Sequence, residues 1–142
     1  MTNKVKAIPD GFHTVTPHLI VRDAARAIEF YKNAFDAKER GERYIDPDGR
    51  LIHAELGIGN AFVMLSDDDE ETPRHLGGRV TAIMEMQWPD VDVAWRRAVA
   101  AGAEVIFPLA DQFYGQRSGR LRDPFGHQWI LSQPISRSGP DS

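Results

Sequence analysis

The chain has 142 residues, enough for one domain that buries most of its apolar surface. Its formal charge of -4, with arginines spread along the sequence, lacks the basic field of a nucleic-acid binder. No run reaches the roughly 20 apolar residues of a membrane span, no apolar signal core opens the chain, and the absence of cysteine removes disulfides, thiolate metal sites and thiol nucleophiles together; a cytoplasmic protein is expected, and any metal would need His, Asp or Glu.

Residues 1–12, with Pro9 and Gly11, read as a loose end. From Val15 to Arg22 apolar and polar positions alternate, placing Val15, Leu19 and Val21 on one face of a strand and Thr16, His18, Ile20 and Arg22 on the other. Asp23 is a suitable N-cap for a helix whose apolar stripe is Ala24, Ala27, Ile28, Tyr31 and Phe35, and Phe35-Asp36-Ala37 stops it. A second strand leads to the tight reversal Asp46-Pro47-Asp48-Gly49. The third places Ile52, Ala54, Leu56 and Ile58 on one face and His53 and Glu55 on the other, and Gly59-Asn60 turns the chain into a fourth strand, Ala61 to Ser66. This predicts a βαβββ module over about 13–67.

The acidic segment Asp67 to Glu71, continuing through Pro73 to Gly78, reads as a solvated linker whose unstructured carboxylates would hold a divalent cation only weakly. About 66 residues after the first strand and helix, Thr81-Ala-Ile-Met-Glu-Met-Gln-Trp-Pro-Asp-Val repeats them. A strand from Arg79 to Trp88 precedes a helix with Val91, Trp95, Ala98 and Val99 on one stripe and Gly102 at its stop. Val105 to Leu109 and Gly119 to Arg122 are strands, Asp123-Pro-Phe-Gly126 turns, and His127 to Ser132 is the last strand. The second module spans about 79–134, with a longer loop from Ala110 to Ser118 and a flexible tail from about 135.

The helix Ala-Ile-Glu-Phe-Tyr-Lys-Asn-Ala-Phe, the hairpin Asp-Pro-Asp-Gly-Arg-Leu-Ile-His-Ala-Glu-Leu, the segment Asp111-Gln-Phe-Tyr-Gly-Gln-Arg117 and the ending Leu-Arg-Asp-Pro-Phe-Gly-His-Gln-Trp together resemble the vicinal oxygen chelate superfamily. More narrowly, they resemble the PhnB-like branch of its glyoxalase, bleomycin-resistance protein and extradiol dioxygenase group. The resemblance covers about Val15 to Ser132 and implies an α+β fold, one domain over 13–134, in which two βαβββ modules with mixed sheets form a cup, usually as a homodimer. Metal enzymes of that superfamily hold a divalent ion with His and Glu from the first and last strand of each module. Carried over, those places fall on or near Thr16, Met64, Ile83 and Ile130, none of which is a normal ligand, so the usual metal site is expected to be missing and no cofactor is required.

Strand alternation then sets a polar layer into the expected cup: His18, His53, Glu55, Glu85, Gln87 and Gln128. Salt-bridged or hydrated walls, ligand contact in a wet pocket, and a displaced metal or acid-base site are all open for this layer, with Glu55 and Glu85 the candidate catalytic bases. Phe113, Tyr114 and Arg117 in one loop suit a flat or anionic organic ligand, or a loop folded on a dimer partner. His127 reads as a structural hydrogen-bonding residue, Trp95 and Trp129 as packing between helix and sheet. No Gly-Lys-Ser/Thr phosphate loop, dinucleotide loop or Gly-x-Ser-x-Gly elbow is present. Two functions follow: a metal-free binder of a small organic molecule, or a glyoxalase- or dioxygenase-type enzyme with a shifted site for Zn, Ni, Mn or Fe built from His18, Glu85 and His53 or Glu55.

Overall fold

The structure, a computed structural model, describes residues 8, 11–68 and 82–135. The chain divides into two compact units, residues 1–32 with 36–69 and residues 33–35 with 70–142. Among the described residues no helix is long and apolar enough to cross a membrane. The class is α+β, with a four-stranded mixed sheet in each half.

The first sheet is built from β1 (His18–Val21), β2 (Lys38–Ile45), β3 (Leu51–Ile58) and β4 (Ala61–Asp67) in the order β1-β4-β3-β2. β1 runs parallel to β4 and the other neighbours are antiparallel. A parallel pair needs a long crossover, which α1 (Ala24–Phe35) begins. Asp23 caps that helix, its Oδ1 accepting from the Arg26 amide at 3.2 Å. Asp36, at φ 54°, takes the left-handed conformation that ends it. Alternation then decides what is inside: Leu19, Val21, Ala54, Leu56, Ile58, Val63 and Leu65 are buried, as are Ala24, Ala27, Ile28 and Tyr31 of the helix stripe.

Three sequence expectations need correction here. β1 starts only at His18, so Val15 precedes the strand and is exposed. Ile52 is exposed and Leu51 buried, the reverse of strict alternation. The cause is the pairing: Tyr44 faces His53 and Ile45 faces Leu51, which leaves Ile52 as the extra residue of a bulge. Asp67 closes β4 instead of opening a linker; its Oδ1 accepts from the Ala24 amide at 2.7 Å and its Oδ2 from the Leu51 amide at 2.8 Å. The rest of the acidic linker, from 69 on, lies outside the described residues, as do His75 and most of residues 1–10.

The second sheet repeats the first with β5 (Met84–Gln87), β6 (Glu104–Asp111), β7 (Gln116–Arg122) and β8 (Gln128–Pro134) in the order β5-β8-β7-β6, β5 parallel to β8. Its helix α2 (Val91–Ala100) is capped by Asp90, and Gly102 at φ 114° follows its end. Gln133 Oε1 accepts from the Val91 amide at 2.9 Å, as Asp67 does for Ala24 in the first unit. Val91, Ala94, Ala98, Leu121, Trp129 and Leu131 are buried, whereas Val99 is exposed despite its place on the expected stripe. Gly119 admits no side chain, since a Cβ there would come within 2.6 Å of the Trp95 ring and 2.9 Å of the Leu109 nitrogen. The expected long loop from Ala110 to Ser118 shrinks to residues 112–115, because β6 runs on to Asp111 and β7 starts at Gln116. Pro134 still belongs to β8, and the Ile135 amide donates to Gly115 O at 3.0 Å.

Candidate functional site

Strand register gathers the polar residues of the first unit on the sheet face turned away from the buried set. One row reads His18, Met64, Glu55 and Arg40 across the four strands. The neighbouring row pairs Ile20 with Ser66 and His53 with Tyr44. His18 Nε2 lies 2.9 Å from Ser66 Oγ, and His53 Nε2 lies 3.2 Å from Glu55 Oε1. Glu55 Oε2 is 4.0 Å from Arg40 Nε, and the rings of His18 and His53 are 6.4 Å apart. The Arg40 guanidinium sits 4.6 Å from the Phe62 ring centre and 5.1 Å from that of Phe12, the two rings being stacked at 4.6 Å. Phe12 thus fastens the segment before β1 onto the sheet. Gly11 permits this, for at φ 84° a Cβ would come 2.5 Å from the Phe62 ring.

Between that segment and the sheet lies a cleft of about 420 Å³ lined by Ile8, Phe12, His13, Thr14, Thr16, Glu55 and Met64. His18 stands beside it in the same row. Partial burial, followed by the nearby His53, lowers the His18 pKa from its ordinary 6.5. In the unfolded chain His18 takes up its proton on acidification before the folded chain does. Stability from this group is therefore complete above 6.5 and is lost as pH falls through and below that value. Thermal melts of the parent and of His18→Asn between about pH 7.5 and 5 should show a shallower loss in the variant. Equal slopes would refute a role for His18. Glu39 and Asp92, whose carboxyls are held low chiefly by hydrogen bonds from Arg43 and Arg117, act only in the more acidic carboxylate range.

In the second unit the corresponding row is Glu85, Ile130, Arg120 and Phe107, and the next is Gln87, Ser132, Ser118 and Ala110. Glu85 and Gln87 are exposed, while Gln128, Ser118 and Ser132 are buried. Arg120 Nη1 donates to Gln128 Oε1 at 3.5 Å, its guanidinium lies 5.1 Å from the Phe107 ring centre, and the Tyr114 hydroxyl is 3.4 Å from Ser118 Oγ. Phe113 is 93% exposed and meets Tyr114 edge to face.

Arg117 goes elsewhere. It belongs to β7, not to a loop, and shares its strand parity with Gly119, which abuts Trp95 of α2, and with buried Leu121. Its Nε and Nη2 bind Asp92 in the first turn of α2, Nη2 at 2.9 Å, and Nη1 binds Asp111 at 3.1 Å. These carboxylates raise its pKa further. Register thus collects His18, His53 and Glu55 on one sheet and Glu85, Gln87 and Gln128 on the other. Sequence reasoning misses Phe12, Arg40, Phe62 and Ser66, although the alternation of β4 puts Phe62, Met64 and Ser66 on one face.

The register also tests the carried-over metal positions. Met64 faces His18 and Ile130 faces Glu85, so the two last-strand places are equivalent in the two modules. A hydroxyl at Thr16, a thioether at Met64 and alkyl chains at Ile83 and Ile130 are not a donor set for a divalent ion. Among the described residues no three His, Asp or Glu side chains group closely enough to share an ion.

Known proteins place this arrangement. An uncharacterized protein of Mycobacterium tuberculosis strain ATCC 25618 / H37Rv is 47% identical over 134 residues, covering 89% of this chain and 78% of that protein. The crystal structure of TioX from Micromonospora sp. ML1 superposes with a TM-score of 0.67 at 28% identity over 89% of this chain and 100% of that one. The PhnB protein from Bacillus cereus does so with 0.66 at 20% identity over 85% and 99%. The family model described as Glyoxalase/Bleomycin resistance protein/Dioxygenase superfamily matches residues 11–131, and the chain belongs to that superfamily.

Proposed function

We propose that this chain binds a small organic molecule in the cleft on the first sheet and does so without the divalent ion of the superfamily's metal enzymes. The observation that carries this is the coincidence of two independent placements. Thr16 and Met64, two of the four places to which the resemblance carries the family's ligands, are among the residues that line the cleft. On this reading the first module's share of the family's ion site is a concavity walled with a hydroxyl, a thioether and an aromatic ring in place of ligands. A volume of about 420 Å³ lies in the range of small-molecule sites, and the lining combines the apolar Ile8, Phe12 and Met64 with the polar His13, Thr14, Thr16 and Glu55. A homodimer is part of the reading, by analogy with the family.

The test is a thermal-shift and calorimetric comparison of Zn, Ni, Mn and Fe(II) with a panel of aromatic organic molecules, on parent and on Thr16→Tyr, which fills the cleft. Organic ligands should bind to the parent and lose affinity at least about tenfold in the variant, with no metal bound stoichiometrically. A stoichiometric, tightly held metal, or organic binding indifferent to Thr16→Tyr, would refute the proposal.

A further inference from the structure

We infer that the cleft selects a small organic cation, an ammonium carried on an aryl or alkyl group, and rejects the corresponding anion. This rests on the cleft being the ligand site. Among the described residues that line it Glu55 alone is a carboxylate, and no Lys or Arg is among them. Arg117, the guanidinium that the sequence offers to an anionic ligand, is held by Asp92 and Asp111.

The repeated fold supplies an internal control on whether Glu55 is there merely to complete the sheet. Glu55 is the β3 residue facing Met64, which faces His18 in β1. The residue in the same relation in the second sheet is Arg120, facing Ile130, which faces Glu85. The same place in the same topology thus takes a guanidinium where its neighbour in the outer strand is Phe107 and a carboxylate where that neighbour is Arg40, so the topology by itself does not demand a carboxylate there. A carboxylate at this place attracts cations, Arg40 at 4.0 Å among them, and a guanidinium cannot.

The surroundings of Glu55 leave it capacity for this. Oε1 is engaged by His53 at 3.2 Å, but a carboxylate accepts about four hydrogen bonds. Arg40 approaches Oε2 no closer than 4.0 Å, while its guanidinium is stacked on Phe62 and Phe12. At that distance the ion pair is loose and an incoming ammonium can form a shorter charge-assisted bond. The Phe12 ring lines the same cleft, and an aromatic face attracts a cation or stacks against an aryl group. Met64 and Ile8 provide the apolar remainder.

Three probes of similar size separate the possibilities in titration calorimetry: 2-phenylethylamine, 2-phenylethanol and 3-phenylpropanoate. The amine should bind at least about tenfold tighter than the carboxylate, and Glu55→Gln should abolish that preference, weakening the amine by much more than the alcohol. Glu55→Asp, which keeps the charge and withdraws it by one methylene, should weaken the amine more than the alcohol and serves if Glu55→Gln does not fold. A carboxylate that binds as well as the amine and is lost in Thr16→Tyr would overturn the cation preference and leave the cleft as the site. Amine affinity unchanged in both Glu55 variants would do the same. Failure of all three probes, or binding indifferent to Thr16→Tyr, would overturn the cleft reading and this inference with it.

Discussion

Asp123→Ala should cost about 3 kcal/mol of stability, although the residue lies in a turn and far along the chain from any candidate site residue of the first unit. Asp123 is 3% exposed. Its Oδ1 accepts from the Phe125 amide at 2.9 Å and the His127 amide at 3.0 Å, and its Oδ2 accepts from Trp129 Nε1 at 2.9 Å. The first two bonds shape the reversal between β7 and β8, and the third fixes the ring of a fully packed tryptophan. Alanine would strand a buried indole donor, and an unmet buried donor costs roughly 1–3 kcal/mol by itself. Asparagine is instructive because it can keep the turn bonds through its carbonyl oxygen but turns an N–H₂ toward the indole N–H. It should therefore fall between parent and alanine. Urea midpoints of the parent, both single variants and the pair Asp123→Ala with Trp129→Phe decide the matter. The double variant should lose less than the sum of the two single losses, since it removes the orphaned donor. A change below about 1 kcal/mol in Asp123→Ala would show that water replaces the carboxylate at no cost.

The same residues show how far the sequence carries and where it stops. Asp123-Pro-Phe-Gly is legible as a turn because Asp, Pro and Gly have local backbone preferences, but that Asp123 also reaches Trp129 depends on a rotamer set by the packed strand. Asp23 and the stripe from Ala24 to Phe35 are legible for the same local reason. Alternation places His53 and Glu55 together and separates them from Leu56, yet it fails at Ile52. The bulge there is a property of the pairing between β2 and β3, which no single strand encodes. The cluster of Phe12, Phe62 and Arg40 is lost for a related reason: three residues from an apparent tail, a hairpin and an irregular strand meet only once the register is known. Arg117 shows the opposite error. Its neighbours Phe113 and Tyr114 suggest a ligand loop, but the extension of β7 back to Gln116 gives it the parity of Gly119 and Leu121, and with that its carboxylate partners. The internal repeat is the most informative signal, since it relates Glu55 to Arg120 and His18 to Glu85 once the strands are paired.

That repeat also sets up a graded test of how each helix is tied to its sheet. Asp67 and Gln133 follow Met64 and Ile130 by the same number of residues, and each accepts from the first amide of its module's helix, Ala24 at 2.7 Å and Val91 at 2.9 Å. Asp67 does more. Its second oxygen accepts from the Leu51 amide at 2.8 Å, so one side chain joins the end of β4 to the start of α1 and the start of β3. It also brings a negative charge to the positive end of a helix, where a neutral amide contributes less. Asp67→Ala should therefore lower stability by about 2–3 kcal/mol and Gln133→Ala by about 1 kcal/mol. Asp67→Asn offers one carbonyl to two amides and should lie between them, and raising the salt concentration should narrow its distance from the parent, since only the charge contribution is screened. Equilibrium unfolding in urea at low and high salt measures all four proteins on one scale. If Gln133→Ala proved as damaging as Asp67→Ala, the bridge to Leu51 would contribute nothing, and the helix amide alone would account for the similarity of the two ties.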